Sequence, residues 1–125
     1  MNTKRFLFLA AWLAILSLGL AACGGGGGGN SAPEPLAITI HAQDIKFDVT
    51  TINAKVNQTV NATYINSGAL DHTFLIDGLV TEQKVAAGQT ITFSFTPPAA
   101  GTYQYYCNIA GHKEAGMVGT LTVSP

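Results

Sequence analysis

The sequence predicts an all-β fold, an antiparallel two-sheet Greek-key β-sandwich, and three observations carry that expectation. Apolar and polar residues alternate with a period of two in five short runs between Leu36 and Val123, which puts apolar side chains on one face of each. Turn-forming residues separate the runs, at Asn53, Asn66-Ser67-Gly68, Asp77-Gly78, Ala87-Gly88, Pro97-Pro98 and Gly101. Helical spacing is nowhere sustained in this part of the chain. About seven or eight strands at such intervals pack as two sheets over one core.

The first residues concern address rather than fold. Lys4 and Arg5 precede an almost unbroken apolar run from Phe6 to Leu20, closed by Ala21-Ala22-Cys23. Small residues followed by Cys resemble a bacterial lipoprotein signal, so residues 1–22 are expected to be a signal peptide and Cys23 the acylated residue. The alternative is an uncleaved anchor, because the run approaches the roughly 18 to 20 residues that span a bilayer. Both place the domain on the extracytoplasmic face of a bacterial membrane, periplasmic side or cell surface. Residues 23–35 then form a linker: Gly24 to Gly29 cannot offset their ordering entropy, and Pro33 and Pro35 stiffen the far end. Such a tether gives a reach of about 20 Å.

Residues 36–125 form the expected domain, large enough for one small core. Leu36-Ala37-Ile38-Thr39-Ile40, Ile45 to Val49, Val60 to Tyr64, Ile91 to Phe95 and Gly119 to Val123 are the alternating strands, with Thr73 to Ile76 a further one. Thr102 to Cys107 is the strand that delivers Cys107 to a Gly- and Ala-rich loop, and Met117 begins the strand that returns. No internal repeat is present.

In that loop Cys107, His112 and Met117 follow one another with four residues between each pair. A thiolate, an imidazole and a thioether thus come from one short segment, and a second imidazole would complete the ligand set of an electron-transfer copper site, two His and one Cys with a weak axial Met. His72, between the turn Asn66 to Leu70 and a strand, is the candidate for that imidazole. His41, at the end of the first strand with no soft ligand beside it, reads as a surface residue.

The bland readings are explicit. If Cys23 is acylated, Cys107 is the remaining thiol, and it could be a buried apolar side chain, a link to another chain or a nucleophile paired with His. Met117 shares its parity with Gly119, Leu121 and Val123 and could be a core residue alone. His112, flanked by Gly111, has little apolar bulk around it and fits a ligand near solvent better than a core position.

Charge narrows the partners. Beyond Lys4 and Arg5 the cations are Lys46, Lys55, Lys84 and Lys113, against seven acidic residues. Nucleic acid is excluded as a natural partner because it requires a basic face.

The segments Gly101 to Cys107, His112 and Ala115 to Val123, with Asn66-Ser67-Gly68-Ala69-Leu70-Asp71-His72 upstream, resemble the signature of the blue copper proteins, the cupredoxins, and within them plastocyanin, auracyanin and halocyanin. The four residues between Cys107 and His112 look like auracyanin, plastocyanin having a shorter spacing, and Thr73 stands where plastocyanin has an Asn that helps fix the loop. The resemblance implies one copper ion, Cu(I)/Cu(II), held by His72, Cys107, His112 and Met117, and a monomeric one-electron carrier rather than an enzyme. It implies that electrons pass through the exposed edge of His112. Ala69, Leu70, Ala110 and Ala115, small or apolar, are expected around that edge as a docking patch for transient redox donors and acceptors. The alternative within the same chemistry is an extracytoplasmic copper chaperone or storage module. A multicopper enzyme would need more His ligands than this chain holds, and a structural zinc site would favour Cys and His without Met.

Overall fold

A computed structural model describes residues 31–125; Cys23 and the expected signal segment 1–22 lie outside them. Nine strands follow in order: β1 Leu36–Gln43, β2 Lys46–Phe47, β3 Thr51–Lys55, β4 Val60–Asn66, β5 His72–Ile76, β6 Val80–Val85, β7 Thr90–Phe95, β8 Gly101–Tyr106 and β9 Val118–Ser124. They form two sheets, β2-β1-β4-β7 and β3-β9-β8-β5-β6. The all-β two-sheet sandwich is therefore as expected. Most pairs run antiparallel, but β1 lies parallel to β4 and β3 parallel to β9. No helix among the described residues is long and apolar enough to cross a membrane.

Two local readings of the sequence differ from the structure. Asn53 is no turn: it sits inside β3, facing solvent between buried Ile52 and Ala54, and a strand with only one large apolar side chain carries a weak alternation signal. The run Ile45 to Val49 gives only the two-residue β2, because Asp44 turns the chain with φ 54° and Asp48 bonds back to the amides of His41 and Val49.

Between the sheets lies a core of Ile40, Val60, Ile76, Val85, Leu121 and an aromatic group, Phe47, Tyr64, Phe74 and Tyr105. Phe74 stacks on Tyr105 with centroids 5.1 Å apart, and Phe47 meets Tyr64, Phe74 and Tyr105 at tilted or edge angles. The two buried phenols each find a carbonyl: Tyr64 donates to Thr73 O at 3.2 Å and Tyr105 to Val49 O at 2.6 Å. Burial pushes both phenols far above their ordinary pKa, so they stay protonated donors. Gly119 on β9 is required by this packing, since a Cβ there would overlap the Tyr105 ring. The β8–β9 and β5–β8 pairings carry Cys107, Met117 and His72 to one end of the sandwich.

Candidate metal centre

His72 opens β5, and the segment before it is fixed by a buried Asn. Asn66 Nδ2 donates to Leu70 O at 2.6 Å and Val85 O at 3.2 Å, while its Oδ1 accepts from Gly68 N at 3.0 Å. One amide thus ties the 66–72 turn to itself and to β6. Gly68 allows the turn to press on the β1–β2 connection, where a Cβ would stand 3.2 Å from Asp44 N. The sequence marked Asn66 only as a turn residue; its role as a clamp depends on Val85, which is distant in the chain.

The 107–117 loop is held mainly by its own backbone. Cys107 N donates to Met117 O at 3.1 Å, Met117 N to His112 O at 2.9 Å, His112 N to Ile109 O at 2.9 Å and Ala115 N to Gly111 O at 3.0 Å. Gly111 at φ 83° and Gly116 at φ 100° take the left-handed conformations that let the chain reverse around His112. Lys113 Nζ lies 3.7 Å over the centre of the Tyr106 ring and pins the loop against β8.

These two segments bring His72, Cys107 and His112 together, with one ligand atom from each within 4.8 Å of the others. Cys107 Sγ is 3.5 Å from His112 Nδ1, and the two imidazole centroids are 5.1 Å apart. His72 is 0% exposed, and neither of its ring nitrogens makes a well-formed hydrogen bond, the Asp44 backbone offering one of them only a weak polar contact. Ring nitrogens so poorly satisfied in a sealed site are costly unless something else binds them. Burial, with the neighbouring His112 ring adding to it, holds the His72 pKa below its ordinary value, so its imidazole is neutral at neutral pH and has a lone pair to offer a metal. Cys107 and Met117 are 0% exposed as well, and His112 alone of the four reaches the surface, at 8%.

Around the sulfur the protein places both polar groups of Thr73. Thr73 N lies 3.4 Å from Cys107 Sγ and the Thr73 hydroxyl also 3.4 Å from it, while Tyr64 fixes the Thr73 carbonyl. The Thr73 hydroxyl accepts from Asn108 N at 2.9 Å and donates to Asn108 Oδ1 at 2.7 Å, so this residue fastens the ligand loop to β5. Ala69, Leu70, Ala110 and Ala115 are all exposed, Leu70 at 50%. His41 is half-buried on β1 and belongs to no cluster of metal-binding side chains among the described residues. Ile45, in the turn that packs on Gly68, is an exposed large apolar side chain that the sequence reading placed within a strand.

The donor set suits copper: a thiol and two imidazoles are soft and intermediate ligands, and the Met117 carbonyl, accepting from Cys107 N, closes the loop beneath them with the buried Met117 side chain following on the same segment. A family model described as cupredoxin-like domain matches residues 5–123. Auracyanin-A of Chloroflexus aurantiacus is 30% identical, with 98% of each chain covered. The copper-resistant cuproprotein CopI of Rubrivivax gelatinosus is 28% identical over 67% of this chain and 63% of its own. Among solved structures, auracyanin A, described as a "blue" copper protein of the same Chloroflexus species, superposes with a TM-score of 0.62 at 26% identity, over 72% of this chain and 99% of that one.

Proposed function

The chain belongs to the cupredoxin-like family, which binds one copper ion, and from that premise we propose that it is a membrane-tethered one-electron carrier with His72, Cys107, His112 and Met117 as its ligands. The observation that carries this reading is His72, fully buried beside a buried thiol and a second imidazole with neither ring nitrogen in a well-formed hydrogen bond. When bound, copper supplies a couple that gains or loses a single electron at neutral pH.

The protein's part is to hold and to insulate. Four side chains from two tied segments would hold the copper and leave no open position for a substrate, which favours electron transfer over catalysis. Held by the hydrogen bonds of those segments, they would resist rearrangement when the charge of the centre changes. Sealing His72, Cys107 and Met117 from water keeps solvent from reorganising around the centre, and His112 is left as the side chain a partner can approach. Ala69, Leu70, Ala110 and Ala115, all exposed and uncharged, would form the patch around this approach, suited to a brief encounter with redox donors and acceptors. Lipid on Cys23 and the 23–35 linker would keep the domain at the extracytoplasmic membrane surface while letting it turn between partners.

The test is the visible spectrum of the protein, residues 30–125, loaded with Cu(II), alongside Cys107→Ser. An intense thiolate-to-copper band that bleaches reversibly on reduction and is absent from the variant is the expected result. Bound metal without that band would support the copper chaperone or storage module, or a zinc site. Mass spectrometry of the membrane-associated full chain tests Cys23, where an unmodified N-terminal segment would remove the lipid from the proposal.

A further inference from the structure

Among the side chains that surround the centre, one hydroxyl has more partners than it has protons. Thr73 Oγ1 lies 2.7 Å from Asn108 Oδ1 and 3.4 Å from Cys107 Sγ, and it carries a single hydrogen. The decision between those acceptors is made further out. Asn108 Nδ2 lies 2.7 Å from Glu82 Oε2 on β6, and a carboxylate there can only accept. That contact turns the amide nitrogen outward and the amide oxygen toward Thr73, which then gives its proton to Asn108.

We propose that Glu82 and Asn108 are positioning residues that withhold the Thr73 hydroxyl proton from the Cys107 thiolate and thereby hold the reduction potential of the centre down. The inference rests on the copper reading above and adds to it a tuning device built from an exposed carboxylate. With the hydroxyl turned away, the sulfur keeps the Thr73 amide as a hydrogen-bond donor, at 3.4 Å. A thiolate with fewer donors has more electron density to give to a cation, and Cu(II) gains more from that density than Cu(I) does. If the amide turned over, its nitrogen would donate to Thr73 Oγ1, and the hydroxyl would have Cys107 Sγ as its remaining acceptor. The potential would rise, and the thiolate-to-copper band would move to shorter wavelength.

The chain of bonds is short, directional and accessible to mutation. Asn108 and Glu82 are both exposed, whereas Thr73 is buried, so changes at the outer two residues leave the core intact. Asn108→Leu keeps the size of the side chain and removes the acceptor. Glu82→Ala removes the group that orients the amide, and removes a negative charge at the same time. Thr73→Val removes the disputed proton at constant shape and keeps the backbone donor.

Spectroelectrochemistry of the copper-loaded protein is the experiment. Asn108→Leu and Glu82→Ala are each expected to raise the potential and shift the band to shorter wavelength. In a Thr73→Val background the Asn108→Leu shift should vanish and the Glu82→Ala shift should shrink to the effect of its charge; Thr73→Ser should restore both. Three results overturn the proposal: an Asn108→Leu protein with its band intact and its potential unmoved, shifts of undiminished size in the Thr73→Val background, or a Thr73→Val change that by itself lowers the potential as far as Asn108→Leu was to raise it. A wild-type protein without any thiolate-to-copper band would instead defeat the copper reading. In that case the metal-free protein still decides the relay, because Glu82→Ala should move the Asn108 side-chain amide resonances, and unmoved resonances refute it.

Discussion

His72 reaches the metal end on a strand held by distant parts of the chain, whereas Cys107, His112 and Met117 arrive on a loop that largely holds itself. The first arrangement depends on Asn66 bridging to Val85, on Tyr64 gripping the Thr73 carbonyl and on Gly68 pressing against the β1–β2 turn. The second depends on bonds between near neighbours, with two glycines in left-handed conformations and Lys113 over Tyr106. The lesson is that the fold supplies one of the proposed ligands and the loop supplies the other three. The segment bearing the single ligand should therefore be the one whose disruption costs the whole domain, and the loop the one whose disruption stays local.

The largest effect expected from breaking that division is at Asn66. Replacing it by Ala leaves the buried Val85 carbonyl and the part-buried Leu70 carbonyl and Gly68 amide without their partner, at about 3 kcal/mol in all. For a domain of this size that is a fall in melting temperature on the order of 10 to 20 °C, measurable by calorimetry on the metal-free protein. A fall as small as that of a surface change would show that the 66–72 turn does not depend on the clamp. His72 gives the next effect, with the opposite sign. His72→Leu exchanges a buried imidazole that makes no well-formed hydrogen bond for an apolar side chain, so the metal-free protein should become more stable by about 1 kcal/mol while copper no longer stabilises it. A metal-free variant less stable than the wild type would mean that the ring is already well satisfied. Gly111→Ala probes the loop: no atom stands within 4 Å of the added Cβ, so the cost is the left-handed backbone alone, about 1 kcal/mol. Hydrogen exchange should show the extra opening confined to residues 107–117, and opening that spreads into β5 would erase the distinction between the two segments.

The same division explains how much could be read from the chain. The loop donors were legible because their spacing is local, four residues twice over, and the alternating strands at Val60, Ile91 and Gly119 announce themselves by pattern. His72 was legible as a candidate from its place between a turn and a strand, yet its poorly satisfied nitrogens appear only once β5 and the loop are brought together. Asn66, read as a turn residue, and Asn53, read as a turn but lying in β3, show the limit. What an Asn does is decided by which carbonyl or which face it meets, and that information lies elsewhere in the chain. The parallel pairs β1–β4 and β3–β9 were hidden for the same reason, since direction is set by the connections and not by the strand. Asn108, Thr73 and Glu82 likewise become one network only through the approach of β5, β6 and the loop.

The smallest effect on stability, and the sharpest on function, is expected at Leu70, which belongs to the distantly held segment but faces outward at 50% exposure. Leu70→Glu removes no buried contact, so stability should stay within about 0.5 kcal/mol of the wild type and the copper band should be unchanged. If Leu70, Ala69, Ala110 and Ala115 form the docking patch, two such proteins meeting face to face would place like charges together in an otherwise apolar contact. Electron self-exchange between the Cu(I) and Cu(II) forms, read from the broadening of nuclear resonances, should then slow by about tenfold at low salt and recover partly as salt is added. Ile45 offers the companion change, on the β1–β2 turn beside the same segment. Exchange that is insensitive to Leu70→Glu would place the encounter elsewhere on the surface, and the tightly held 66–72 segment would then serve only to seat His72.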